Sequence, residues 1–144
     1  VSRIADERDA LLSEVSARAT QIHQDGKHPA IYTSRVELTF ADQQTRLAFG
    51  EQVSALLMDV VRQLPETLGF LISKGGITSN DVLSDGLALR ASRVVGQILP
   101  GCSVVRCPAE HPRYPNMPVV IFPGNVGDEY AVATALKRLA ATSA

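Results

Sequence analysis

The chain has 144 residues, of which 45% are hydrophobic and 20% are charged. This length is typical of one domain, and the balance of apolar and charged residues excludes disordered and fibrous classes. The 14 basic and 15 acidic side chains give a net charge of −1, so nothing indicates a nucleic acid or an anionic membrane as partner. No apolar stretch reaches the roughly 18 residues that would span a bilayer, and the charged, periodic start is unlike a signal peptide. We expect a cytoplasmic domain, and the start without Met indicates a piece of a longer protein.

The first third of the sequence predicts a helix followed by a short strand. Apolar residues recur at three-, four- and seven-residue spacing over residues 1–25, which places them on one stripe of a helix. Gly26 and Pro29 end this helix, because glycine caps it and proline cannot continue it. Residues 30–34 are short, apolar in part and bounded by breakers, which predicts a strand.

The middle of the chain predicts a second helix and a buried strand. Apolar residues from Phe49 to Leu64 fall at i, i+4, i+7 and i+8, the clearest helical pattern in the sequence, and Pro65 lies near its end. Residues 69–72 contain no polar side chain, as expected of a strand covered on both faces. A turn with two glycines follows, and then a helix to about residue 87.

The last third is rich in strands and turns. Residues 91–98 and 102–106 are predicted strands separated by a Pro-Gly turn, and a proline-rich loop leads to a third strand at 119–122. A second glycine-rich turn then opens a helix from 128 to about 141. Because strands and helices alternate early, we expect a single α/β domain with three layers, in which helices cover both faces of a largely parallel sheet.

The two glycine-rich turns are the best candidates for a binding site. Each follows an apolar strand and precedes a helix, and ligands of open α/β sheets bind outside the carboxyl ends of strands. Glycine allows close approach of the backbone to a ligand, and a helix N-terminus offers unpaired N–H groups. The turn at Gly75 and Gly76, with Thr78 or Ser79 as N-cap and Lys74 as a point charge, therefore predicts a phosphate site.

A simpler interpretation is that the turns only start helices. Thr78 with Asp81 three positions later is typical of a capping box, which needs no ligand. Other residues are weaker candidates for a functional site. The histidines are too scattered for a metal cluster, and Cys102 and Cys107 lack CxxC spacing. His111 lies in the proline-rich loop and is interpreted as a solvated loop residue. We therefore predict no metal ligands in the chain and assign no catalytic residue.

Three sequence blocks occur in order beyond the first helix: ISKGGITSNDV at 72–82, GQILPG at 96–101 and VIFPGNVGD at 120–128. Together they resemble the C-terminal nucleotide-binding domain of the four-carbon acid sugar kinases, and the segment YTSR at 32–35 resembles a strand-end motif of the same family. The resemblance implies an ATP-dependent enzyme, with Mg²⁺, that phosphorylates tetronate-type acids such as threonate, erythronate or 3-oxo-tetronates.

The resemblance also implies which residues contact ATP. In the family these are the Gly-Gly-x-Thr turn and the first glycine of the Gly-Asn-x-Gly turn, here Gly75, Gly76, Ile77, Thr78 and Gly124. Their neighbours are further candidates by proximity, namely Lys74, Ser79, Asn125 and Gly127. The whole chain, 1–144, is then the nucleotide-binding domain, and the sugar acid is bound mainly by an N-terminal domain that this chain lacks. We expect the isolated chain to be inactive.

Two departures from the family concern the substrate and the start of the domain, and the first of them indicates a branch with a different substrate. Many relatives have a basic residue where Phe122 and Pro123 stand, and the Gly/Ser-rich strand end that usually opens the domain would lie before Val1. One alternative is a non-catalytic module that senses a nucleotide or another phosphorylated ligand. A second is an interaction domain whose glycine turns only cap helices. The missing first strand would leave an open sheet edge for a second copy, so we also expect a homodimer.

Overall fold

The computed structural model describes residues 4–34 and 38–142. The chain divides into two compact units, residues 1–65 and 66–144. Among the described residues, the regular structure of the first unit is two helices, and the second unit contains the sheet and the two glycine-rich turns. None of the helices in the described ranges is long and apolar enough to cross a membrane.

The first unit contains the two helices that the periodicity predicts. Helix α1 spans Ile4–Gln24 and helix α2 spans Gln43–Gln63. They pack against each other, and Asp59 of α2 accepts hydrogen bonds from the guanidinium groups of Arg8 and Arg62. The hydrogen bond from Arg8, with a smaller effect of Arg62, holds the pKa of the Asp59 carboxyl below its ordinary value.

Helix α2 has a defined start and a defined stop. One carboxylate oxygen of Asp42 accepts a hydrogen bond from the Thr45 amide at 2.8 Å, and the other accepts one from the Thr45 hydroxyl at 2.8 Å. These hydrogen bonds, the one from the amide first, lower the pKa of Asp42 from its ordinary value of 3.8. The helix ends at Gln63, and Leu64 is extended because Pro65 disfavours helical geometry in the residue before it.

The strand predicted at residues 30–34 is wrong. These residues have no regular secondary structure, and the side chains of Ile31 and Tyr32 are 40% and 83% exposed. A strand needs a neighbour to pair its backbone groups, and none of the strands in the described part of the chain pairs with this segment. Arg35, the last residue of the segment similar to a strand-end motif, lies outside the described residues.

In its described residues, the second unit is built on a mixed sheet of four strands, with the order β1-β4-β3-β2. The strands are β1 (Leu71–Lys74), β2 (Arg93–Leu99), β3 (Cys102–Arg106) and β4 (Pro118–Phe122). Only β1 and β4 are parallel, whereas β2–β3 and β3–β4 are antiparallel. The α/β class is confirmed, but the sheet is mixed rather than largely parallel. The reason is the two-residue turn at Pro100 and Gly101, which is too short for a crossover and forces β2 and β3 into a hairpin.

Two helical segments follow the glycine-rich turns and pack against the sheet. Helix α3 (Gly76–Asp81) continues into a π-helical turn at Val82–Gly86, and α4 spans Ala131–Thr142. Helix α4 begins three residues later than predicted, because Asp128 first turns the chain by accepting a hydrogen bond from the Tyr130 amide at 3.0 Å. The core beneath α4 contains six buried residues: Cys102, Val120, Phe122, Ala131, Ala135 and Leu139.

The proline-rich loop before β4 is held in place by His111. Its Nε2 lies 2.9 Å from the Leu87 carbonyl oxygen, and its Nδ1 accepts hydrogen bonds from the amides of Tyr114 and Arg113 at 2.9 and 3.2 Å. The interpretation of His111 as a solvated loop residue is therefore wrong. The side chain is part of the structure of the loop, and the sequence carried no signal of its distant partner at Leu87.

Candidate functional site

The two glycine-rich turns lie side by side at one edge of the sheet. They leave the ends of β1 and β4, which are adjacent parallel strands with Lys74 in register with Phe122. The Gly75 amide donates a hydrogen bond to the Phe122 carbonyl oxygen at 2.8 Å, and a Cβ atom on Gly124 would lie 3.9 Å from the Gly75 Cα. The sequence could place each turn after a strand, but only the pairing of β1 with β4 makes them neighbours.

The first turn starts α3 at a glycine. Gly75 has φ +117° and ψ 138°, a conformation that side-chain-bearing residues rarely adopt, and it is the N-cap of the helix. No side chain caps this end. The prediction of Thr78 or Ser79 as N-cap is wrong, because the chain turns into the helix directly after Gly75 leaves the β ladder. Thr78 therefore lies inside the first helical turn, and the capping box that it would form with Asp81 is not present.

The first turn leaves backbone donors unpaired. Within residues 4–34 and 38–142, the amides of Gly76, Ile77 and Thr78 have no hydrogen-bond acceptor, and the first paired amide is that of Ser79, which donates to the Gly75 carbonyl oxygen at 2.9 Å. Gly76 is exposed, and the Ile77 side chain is 81% exposed. Unpaired amides at the start of a helix attract anionic groups, because the helix dipole places partial positive charge there.

The second turn is exposed at its glycines, and one of the two glycines also lies in close packing contact. Gly124 and Asn125 are exposed, and in the described ranges their amides have no acceptor. Gly127 is different: it has φ +83°, and a Cβ there would lie 2.4 Å from the Ala131 Cβ and 3.3 Å from the Phe122 ring. The packing of α4 on β4 therefore accounts for the glycine at 127 without a ligand.

Two of the glycines have no such structural reason. Neither Gly76 nor Gly124 has a positive φ. A Cβ at Gly76 would meet no atom within 4 Å, and a Cβ at Gly124 would meet only the Gly75 Cα in ordinary contact. The fold therefore accepts a side chain at both positions, and the absence of one leaves the backbone of both turns open to close approach by a ligand.

Lys74 joins the two turns. Its Nζ lies 3.1 Å from the Pro123 carbonyl oxygen, 3.3 Å from the Gly124 carbonyl oxygen and 4.4 Å from the centre of the Phe122 ring. The sequence suggested Lys74 as a point charge for phosphate and gave no sign of these contacts, since they depend on the pairing of β1 with β4.

Ser79 is used within the fold. It is 2% exposed, and its hydroxyl donates a hydrogen bond to the Ser73 carbonyl oxygen at 3.0 Å. A group this deeply buried has no surface for a ligand. The candidate site therefore consists of exposed or half-buried residues of the two turns: Lys74, Gly75, Gly76, Ile77, Thr78, Gly124 and Asn125. Gly127 is also exposed, but the packing of α4 already requires glycine there.

Comparisons with known proteins show the family and the fold of the chain. A family model described as "Nucleotide-binding C-terminal domain" matches residues 1–132. A solved structure from Bordetella bronchiseptica, described as a domain of unknown function with bound citrate and as a domain-swapped dimer, superposes with a TM-score of 0.58 over 96% of this chain. The two sequences are 16% identical, a likeness that shows the fold alone, and this chain spans 33% of the length of that one. A search of curated proteins gave no match.

Proposed function

The chain belongs to the family of nucleotide-binding C-terminal domains found in four-carbon acid sugar kinases, and from this premise we propose that it is the ATP-binding domain of such a kinase. The full enzyme would transfer the γ-phosphoryl group of ATP, with Mg²⁺, to a hydroxyl of a tetronate-type acid. The match to the family model confirms the resemblance found in the sequence. The reaction, its substrate and the metal ion are our proposal.

The observation that carries the proposal is the pair of adjacent, exposed turns with unpaired amides. Gly76, Ile77 and Thr78 supply three such amides, and Gly124 and Asn125 supply two more from the neighbouring turn. Backbone N–H groups arranged in this way bind phosphate oxygens, and glycine at 76 and 124 keeps side chains out of their path.

In this proposal the chain itself binds and orients the nucleotide. The amides of the two turns hold phosphate oxygens, and phosphoryl transfer depends mainly on such positioning and on stabilisation of charge. Mg²⁺ would be bound chiefly by the phosphates and would neutralise charge on them. The sugar acid and the base that activates its hydroxyl would belong to another domain of a longer chain, in agreement with the 33% share of the structural neighbour that this chain spans. We therefore expect no turnover of tetronate and ATP by the 144-residue chain alone.

A non-catalytic module that senses a nucleotide or another phosphorylated ligand is the second candidate. The feature in its favour is the pair Phe122 and Pro123, which by the resemblance stand where many relatives have a basic residue, and Phe122 is fully buried. Such a module would bind its ligand without Mg²⁺, whereas a kinase domain would bind ATP more tightly with Mg²⁺. The dependence of affinity on Mg²⁺ therefore distinguishes the two.

We also propose a homodimer, located in the cytoplasm. The structural neighbour is described as a domain-swapped dimer, and β1 and β2 are the outer strands of the described sheet, with backbone groups available for pairing. Light scattering after size-exclusion chromatography measures this directly. A monomer at all accessible concentrations would contradict the dimer and leave the nucleotide site unaffected.

The test of the nucleotide site is a calorimetric titration of the purified protein with ATP–Mg²⁺. We expect Gly76→Asp to abolish binding, because the new carboxylate lies beside the unpaired amides and repels phosphate. Gly50→Asp is the matched control, since Gly50 also has room for a Cβ and no positive φ but lies in α2 of the other unit. Thermal unfolding of both variants checks that the fold is retained.

Two results would contradict the proposal. Equal affinity of the wild-type protein and Gly76→Asp would show that the first turn holds no phosphate. No binding of ATP by the well-folded wild-type protein, both as this chain and at full length, would show that the family's fold is present without its nucleotide site.

A further inference from the structure

Lys74 is placed to fix the backbone of the second turn. Its side chain extends from the end of β1 across to the turn after β4, where Nζ contacts two consecutive carbonyl oxygens, those of Pro123 and Gly124. An ammonium group has three donors, and here two of them are engaged by backbone. Its positive charge also lies 4.4 Å from the centre of the Phe122 ring, within the range of a cation–π contact.

These contacts determine the direction of two amides. In a trans peptide the C=O and N–H bonds point in opposite directions, and no cis peptide bond occurs in the described chain. Because the Pro123 and Gly124 carbonyl oxygens both face Nζ, the N–H groups of the same two peptides face away from it. These are the amides of Gly124 and Asn125, which have no acceptor in the part of the chain that the structure describes.

Within the described residues, the second turn has few hydrogen bonds other than those of Lys74. The backbone hydrogen bond within the turn runs from the Val126 amide to the Pro123 carbonyl oxygen and is long, at 3.4 Å. Glycine at 124 adds conformational freedom, since it has no side chain to restrict φ and ψ. The contacts of Lys74 therefore act on the most adaptable part of the turn.

We propose that Lys74 is a positioning residue that sets the orientation of the Gly124 and Asn125 amides for binding a phosphate group of the nucleotide. The phosphate part rests on the proposed function, whereas the fixed orientation is a property of the protein without ligand. Lys74 thereby couples the strand that leads to the first turn with the donors of the second. A preorganised pair of amides binds an anion more tightly than a mobile pair, because less conformational entropy is lost on binding.

The experiment measures backbone order in the protein without ligand, by NMR of protein labelled with ¹⁵N-asparagine. The chain has three asparagines, Asn80, Asn116 and Asn125, so the spectrum is simple, and an Asn125→Gln variant assigns the signal of the turn. We expect Lys74→Met to lower the order parameter of the Asn125 amide from roughly 0.85 to below about 0.6. Asn116 serves as the internal reference, and Lys74→Arg, which keeps charge and donors, should retain most of the order.

A titration with two ligands connects the turn to phosphate. For Lys74→Met we expect roughly a tenfold loss of affinity for ATP–Mg²⁺, equivalent to about 1.4 kcal/mol, and unchanged affinity for adenosine, which has no phosphate. Lys74→Arg should recover most of the loss. If Lys74 acted only as a point charge, ATP affinity would fall while the order of Asn125 stayed the same.

The outcomes separate this inference from the proposed function. An unchanged order parameter of Asn125 in Lys74→Met overturns the positioning role, whatever happens to ATP affinity. A loss of order with unchanged ATP affinity overturns the link to phosphate. If the wild-type protein binds no ATP, the proposed nucleotide site fails, and the order parameter still decides whether Lys74 fixes the turn.

Discussion

Replacing Gly127 with alanine should destabilise the second unit strongly. Gly127 has φ +83°, and this left-handed backbone conformation is less favourable by about 1–2 kcal/mol for a residue with a side chain. The new Cβ would lie 2.4 Å from the Ala131 Cβ, where carbon atoms normally keep about 3.5–4.0 Å, so α4 and the turn must move apart by more than an ångström. Overpacking of this kind costs about 1–3 kcal/mol. We expect a total of about 2–5 kcal/mol, a large part of the 5–15 kcal/mol that stabilises a typical domain.

Urea unfolding followed by circular dichroism measures this loss. Gly50→Ala is the matched control, because Gly50 lies within α2, has no positive φ and has no atom within 4 Å of its Cβ position. It should leave the free energy of unfolding unchanged or raise it by up to about 1 kcal/mol. If the free energy of unfolding of Gly127→Ala lies within about 0.5 kcal/mol of the wild-type value, the argument that packing requires glycine at 127 is wrong.

Three further predictions follow from the described contacts. Asp59→Asn should lower stability by up to about 1 kcal/mol by weakening the ion pair with Arg8, and the difference should shrink in about 1 M salt in urea unfolding. Asp42→Ala should lower the free energy of unfolding at neutral pH, and this difference should vanish in acid. The pKa of Asp42 in the folded chain is below its ordinary value of 3.8, so the carboxylate stabilises the fold above pH 3.8. The stabilisation is lost as the pH falls through the folded-state pKa, which urea unfolding at a series of pH values measures. Cys102 and Cys107 are free thiols 0% and 2% exposed, and burial raises the pKa of both. Labelling by a thiol reagent should therefore follow unfolding, and fast labelling of the native protein would contradict their burial.

The elements with a clear local signal were predictable. The apolar period of α2 gave its position, and its end before Pro65 follows from proline geometry. Strands β3 and β4 were recognisable as short apolar runs between turn residues, within one residue of their observed bounds. Each reflects a preference of neighbouring residues along the chain, which the sequence records directly.

Pairing partners were not predictable in the same way. Residues 30–34 have the composition of a strand, yet no described strand pairs with them. The sheet was expected to be largely parallel, and two of its three pairs are antiparallel. Strand pairing depends on groups distant in sequence, so composition alone does not select it.

The sequence by itself determined the family, the position of both glycine-rich turns and the presence of a helix after each of them. The tertiary structure decided how the glycines differ. Gly127 is required by the packing of α4, whereas Gly76 and Gly124 face space that a side chain could fill. It also decided that Lys74 binds the backbone of the second turn. The physical reason is that a turn residue is chosen by local backbone geometry, while its surroundings are set by the parallel pairing of β1 with β4, two strands more than 40 residues apart.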